Sequence, residues 1–261
     1  MNIIKTIGLA FAMFSRIPMV RIDWNKGGMR YMLCAFPLVG LVIGLALWAW
    51  AGICGLFHIG TQMLAAGLTL IPVMITGGIH LDGFCDTVDA LSSRASPERK
   101  REILKDPHTG AFAVISIVVY FLMYFGICTE LCRDLGKYTT TLPLLVYMHM
   151  TTRTASGLSV IYFPSSRTKG LLDTFRESAD RKRVAVVLLV MLALCFTGLL
   201  MTDWVTGAGM AAASLVCGIY LFFMSRRQFD GMSGDLAGYL LQLSELSMLA
   251  VLVMIQKVVL L

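Results

Sequence analysis

Four aspartates fall within twenty-five positions of the stretch GGIHLDGFCDTVDALSSRASPERKREILKDPHTG, which runs from Gly77 to Gly110. Asp82, Asp86, Asp89 and Asp106 are a quarter of the sixteen acidic residues in a chain of 261. On an α-helix each residue advances about 100°, so with Asp82 at zero, Asp86 lies at about +40° and Asp89 at about −20°. Three acids then share one stripe. Carboxylates this close repel one another unless they are protonated, paired with a cationic side chain or bound to a cation. A hard divalent ion such as Mg²⁺ suits them, because it takes one or two carboxylates and leaves positions open for phosphate oxygens. The competing reading is a solvated polar face. Placement between two apolar runs and beside a basic loop favours a metal site with Asp82, Asp86 and Asp89 as ligands.

The elements that must position these acids are membrane helices. Hydrophobic residues make up 57% of the chain and charged residues 15%, and the mean hydropathy is +0.76. Such a chain is too apolar for an ordinary soluble domain. The reading is an all-α, polytopic integral membrane protein forming one domain over residues 1–261, without linkers or internal repeats. Apolar runs long enough to cross about 30 Å of hydrocarbon occur near 31–57, 63–81, 111–128, 139–162, 184–201, 205–224 and 236–256, which predicts seven spans. The opening MNIIKTIGLAFAMFSRIP has no small-residue cleavage site after it. It predicts an interfacial amphipathic helix ended by Pro18 rather than a removed signal peptide.

Orientation follows from lysine and arginine. Segments 1–30, 82–110, 163–183 and 225–235 hold five, five, six and two of them, whereas 58–62, 129–138, 202–204 and 257–261 hold none, two, none and one. The positive-inside rule puts the N-terminus, every long loop and the acid-rich stretch on the cytoplasmic side. The net charge of +6 fits inner loops facing anionic lipid and an anionic substrate, and no nucleic-acid partner is expected. Seven cysteines without a CxxC pair read as small buried hydrophobes.

Other candidates lie at the same face. Gly77 and Gly78 permit local unwinding or close approach to a ligand, and His80 beside them is within reach of a phosphate. Ser96 and Pro97 mark a helix start, and Lys105 and Asp106 close that basic segment before the chain re-enters the membrane at Gly110. Re-entry predicts that this pair returns to the first acids. Arg153 inside an apolar run either grips phosphate or pairs with a structural acid. Asp235 follows a glycine turn and is a polar-cavity residue or a helix N-cap. Glu245 lies roughly 15 Å further along, deep enough to need a partner. Arg16 in FSRIP and the basic loop 163–183 are weaker candidates, for phosphate contact and for capping a substrate.

Clustered carboxylates, a cation and basic side chains at a membrane face suit phosphoryl or nucleotidyl transfer, with a carboxylate off the metal accepting the proton of an attacking hydroxyl. No Walker A, GxSxG or HExxH motif occurs, which argues against an ATPase, a serine hydrolase and a zinc protease. The motifs GGIHLDGFCDTVDA, ILKDPHTG, TTRTASG and GMSGDLAGYLLQLSELSML, with FSRIP near the start, closely resemble the cobalamin synthase family, the adenosylcobinamide-GDP ribazoletransferases. That resemblance implies a Mg²⁺-dependent attack by a ribose hydroxyl of α-ribazole, or its 5′-phosphate, on the cobinamide-linked phosphate of adenosylcobinamide-GDP, with release of GMP. Asp82, Asp86 and Asp89 would form the metal site, one of them or Asp106 the base, and Lys105 and Arg153 would hold phosphate. Leu236 stands where the family commonly has Thr, and Pro107-His108 where Ser-Arg is common. DGxxDxxD is also reminiscent of CDP-alcohol phosphotransferases, which supplies an alternative with the same metal logic and a different acceptor. An ion transporter using Asp235 and Glu245 is a further reading, and homo-oligomerisation stays open.

Overall fold

In lipid a backbone satisfies its N–H and C=O groups only within a helix or a closed barrel, and runs of Leu, Val, Ile and Met without turn residues give helices here. The computed structural model describes residues 3–19, 29–136, 139–165 and 176–259. The helices are α1 (Ile3–Phe14), α2 (Phe36–Leu56), α3 (Thr61–Thr76), α4 (Ile79–Ser92), α5 (Pro97–Ile103), α6 (Ala111–Arg133), α7 (Thr141–Tyr162), α8 (Arg181–Thr202), α9 (Trp204–Phe229) and α10 (Gly234–Val259), with a 3₁₀ turn at Met32–Ala35 leading into α2. Among the described residues an isolated bridge between Ser165 and Met232 is the one piece of β pairing. The protein is a multi-pass membrane protein. Ile115, Val118 and Leu122 on α6 are 58%, 53% and 67% exposed, as side chains that meet lipid must be.

By length and composition, α2 with its 3₁₀ turn, α6, α8, α9 and α10 can each cross a membrane, and α3 with α4 makes a sixth crossing if that bent pair counts as one. The expected count of seven therefore differs in two places. The run expected over 63–81 stops at Thr76, where the axis turns by 95° into α4, so α4 runs across the direction of α3. The run expected over 139–162 is α7, long enough at 22 residues but polar at its centre. Thr151, Thr152, Arg153, Thr154, Ser156 and Ser159 are all buried, because α7 packs against α2, α8, α9 and α10. A helix enclosed by its neighbours meets little lipid and can carry polar groups inward.

Local signals in the sequence were obeyed. Ser96 caps α5 by accepting from the Arg99 N–H at 3.4 Å, with Pro97 at the first position. The cysteines of the described residues are all free. Helix α1 ends before Pro18 and buries Leu9, Ala10 and Phe11 while Ile4 stays 83% exposed. Residues 166–175 of the loop 163–183, which was expected to cap a substrate, lie outside the described residues.

Candidate active site

The elbow between α3 and α4 is built from two consecutive glycines in the left-handed region, Gly77 at φ +69° and Gly78 at φ +81°. A side chain there would clash with its own backbone. Over Gly77 lies Arg16: a β-carbon on that glycine would stand 2.4 Å from the Arg16 Cγ, and the Arg16 N–H donates to the Ile75 carbonyl at 2.7 Å. FSRIP therefore braces the elbow. His80, in the first turn of α4, faces inward against Phe14 and Phe36, whose ring centroids are 6.3 and 5.5 Å from its own. It is 6% exposed and its Nε2 has no hydrogen-bond partner.

One flank of α4 carries the acids. Asp82 is exposed, and Asp86 and Asp89 are half-buried. Burial, then the negative charges of Asp82, Asp235 and Asp89, push the Asp86 carboxyl up to about 6, because each disfavours a second anion nearby. Asp235 reaches this group from the first turn of α10. Helices α4 and α10 touch backbone to backbone at Gly83, where a β-carbon would lie 2.8 Å from both the Asp235 Cα and its carbonyl oxygen. At the start of α10 it is Ser233, not Asp235, whose oxygen accepts from the Leu236 N–H, at 3.3 Å. Asp235 is thereby released from the capping role that its position allowed. Helix α6 begins against the last acid, since a β-carbon on Gly110 would stand 2.1 Å from an Asp89 carboxylate oxygen.

Asp82, Asp86, Asp89 and Asp235 thus gather where α4, α6 and α10 meet. Lys105 and Asp106 do not join them. Lys105 is exposed, and the Asp106 carboxylate accepts from the His108 N–H at 3.0 Å and meets its Nδ1 at 2.7 Å. The chain does return to the acids, but through Gly110 rather than Asp106.

Arg153 and Glu245 lie elsewhere, deep in the bundle, and they are partners. The guanidinium bonds the Glu245 carboxylate, the Thr152 hydroxyl at 3.0 Å and the His149 Nδ1 at 3.0 Å. Arg153 is 1% exposed and Glu245 2%. Beside them Gln242 accepts a bond from Tyr120, and the adjoining cavity holds about 10 Å³, room for roughly one water and none for a phosphate group. Sequence reading named both charges without pairing them. His149, one turn before Arg153, is the signal that could have marked a polar cluster.

The four gathered donors are all carboxylate oxygens, the chemistry a hard cation prefers. Among the described residues, no three His, Cys, Asp or Glu side chains converge into a metal cage. The arrangement suits an ion held by one or two carboxylates with the rest of its shell from phosphate oxygens, as Mg²⁺ is commonly held.

The model of the cobalamin-5-phosphate synthase family matches residues 6–253. An adenosylcobinamide-GDP ribazoletransferase of Lachnoclostridium phytofermentans is 39% identical over 247 residues, 94% of this chain and 92% of that protein. Enzymes of the same name from Desulfitobacterium hafniense and Clostridium perfringens are 37% and 30% identical, covering 81% and 92% of this chain and 81% and 94% of theirs. No solved structure matches the chain.

Proposed function

The chain belongs to the cobalamin-5-phosphate synthase family, and from that premise we propose that it is an adenosylcobinamide-GDP ribazoletransferase acting at the cytoplasmic face of a bacterial inner membrane. A ribose hydroxyl of α-ribazole or its 5′-phosphate attacks the cobinamide-linked phosphorus of adenosylcobinamide-GDP. The new P–O bond joins that ribose to the cobinamide phosphate, the bond to the bridging oxygen breaks, and GMP leaves with the electron pair.

The observation that carries this reading is the meeting of Asp82, Asp86 and Asp89 on α4 with Asp235 on α10 across Gly83. Asp82 and Asp86, or Asp86 and Asp89, would hold a Mg²⁺ together with the diphosphate. When bound, the ion supplies Lewis-acid polarisation of the phosphoryl oxygens and offsets charge on the departing GMP. A carboxylate off the metal takes the proton of the attacking hydroxyl. The remaining aspartate of α4, Asp89 in the first case and Asp82 in the second, is the one placed for that role. Asp235 holds the acceptor's hydroxyls against α4. Arg153 and Glu245 act through packing, keeping α7 and α10 in register behind the site.

The basic residues at this end of the bundle, Arg94 and Arg99 beside α4 with Arg226 and Arg227 at the end of α9, support the cytoplasmic orientation. The test is GMP release by purified protein given adenosylcobinamide-GDP and α-ribazole, with Mg²⁺ or with chelator. Release that needs both substrates and stops on chelation is expected. No GMP under either condition rejects the proposal, and turnover of a CDP-linked donor in its place would assign the chain to the CDP-alcohol chemistry.

A further inference from the structure

Outside the acid cluster, the most unusual charge at this face is Lys100. It lies on α5 and is 5% exposed, yet among the described residues its ammonium bonds only a neutral group, the side-chain oxygen of Gln228. A buried ammonium has three protons to place and is costly without an anion beside it. The nearby acids are occupied: Arg101 takes Asp230 and approaches Glu98 at 3.8 Å. Lys100 instead lines a cavity of about 820 Å³ between the α4–α5 turn and the end of α9. Two further cations, Arg94 and Arg227, line the same cavity, and no Asp or Glu does. Both are exposed. The opposite wall is apolar, formed by Leu91, Tyr220 and Phe223.

That apolar wall does not stop at the cavity. Leu215, Val216, Ile219, Tyr220 and Phe223 form one face of α9, each between 45% and 64% exposed, and they run from the cavity into the span. A ligand matching both parts carries an anionic head and a long apolar body. A free phosphate would use the three cations alone, whereas a lipid lying along this lipid-facing stripe brings its headgroup to them from the same side. We propose that the cavity binds the phosphate headgroup of an anionic membrane phospholipid, with its acyl chains along α9. Lys100, Arg94 and Arg227 hold the phosphodiester, and the lipid thereby fixes α5 and the turn after α4 at the membrane surface. Basic pockets at the inner ends of membrane helices recognise anionic headgroups through this charge arithmetic.

The test adds phosphatidylglycerol, phosphatidylcholine, inorganic phosphate or GMP separately to the detergent-purified full chain and reads lipid retention by native mass spectrometry together with the melting temperature. Phosphatidylglycerol alone should be retained and raise the melting temperature. K100Q/R227Q should bind it roughly thirtyfold more weakly, two surface-charge contributions lost, while R99Q, which removes one cation from the outer side of α5, should bind it as the parent does. If K100Q/R227Q fails to fold, R94Q/R227Q removes two exposed cations from the cavity and should weaken binding in the same direction. Unchanged phosphatidylglycerol binding in a folded cavity variant overturns the proposal. An equal effect from inorganic phosphate or GMP overturns the lipid assignment, leaving a soluble-anion site.

Discussion

Gly83 on α4 faces the backbone of Asp235 on α10 so closely that a β-carbon would stand 2.8 Å from its Cα and carbonyl oxygen. The two helices can bring carboxylates to a shared site only while that position has no side chain.

Gly83→Ala should therefore push α4 and α10 apart by several tenths of an ångström. Overpacking of this kind costs roughly 1–3 kcal/mol, while displacement of a reacting group by about 1 Å can cost roughly a hundredfold in rate. The expected outcome is an inserted protein with a melting temperature lowered by a few degrees and GMP release reduced at least tenfold. Near-parental turnover would mean that the α4–α10 spacing does not govern the chemistry.

Asp82→Asn and Asp86→Asn should each abolish turnover without loss of expression or insertion. Each removes a charged oxygen donor while preserving side-chain volume. Isothermal titration should show Mg²⁺ binding, in the presence of the diphosphate substrate, weakened in both variants. Either variant working at a near-normal rate would refute the ligand set.

The raised Asp86 carboxyl makes a prediction about stability. Its pKa goes from 3.8 to about 6 on folding, through burial first and then Asp82, Asp235 and Asp89. The folded protein therefore binds that proton more tightly, and the associated stability is full below about pH 4 and lost as pH rises through 6. In the absence of divalent cations, Asp86→Asn should melt higher than the parent at pH 7.5, with the gap closing between pH 6 and 4. Adding Mg²⁺ at pH 7.5 should narrow the gap from the other side by stabilising the parent alone. An unchanged gap across this range would show that Asp86 is not strained by its neighbours.

The Arg153–Glu245 pair can be separated into packing and chemistry. Leaving either charge alone in the bundle should cost roughly 3–5 kcal/mol, so Arg153→Met or Glu245→Leu singly should insert poorly or melt far lower. The double variant, apolar at both positions, should regain much of that stability. If it also regains GMP release, the pair acts by packing. A stable but inactive double variant would show that Arg153 reaches the substrate's phosphate in a conformation other than this one.

How much of this was legible in the sequence varied with the range of the interaction. The Asp82, Asp86 and Asp89 stripe was readable because a helical repeat of about 100° per residue needs no tertiary knowledge. Ser96 followed by Pro97 was readable for the same reason, as a local hydrogen-bond pattern. The deep charges were readable as individual costs, yet their pairing spans 92 positions of chain and is set by how α7 crosses α10. Gly83 carried no signal at all: a glycine's value as a point of close approach is defined by the helix it meets.

Asp106 shows a different limit. Re-entry of the chain at Gly110 correctly placed the segment beside Asp89, but a carboxylate two positions before His108 has a partner within its own turn, and the short-range bond set its direction. The expected span over 139–162 is too polar to count as one for a related reason. Hydropathy asks what lipid would accept, and α7 meets mostly protein.

The elbow at Gly77 and Gly78 fixes the reach of the whole machine. Had the chain continued straight after Thr76, the fourteen residues of α4 would project roughly 20 Å outward, carrying the aspartates into bulk water and away from Asp235. Folded sideways, they lie edge-on at the rim of the bundle. In the proposed reaction a bulky reactant then approaches along the surface, without any part of it having to thread between the spans.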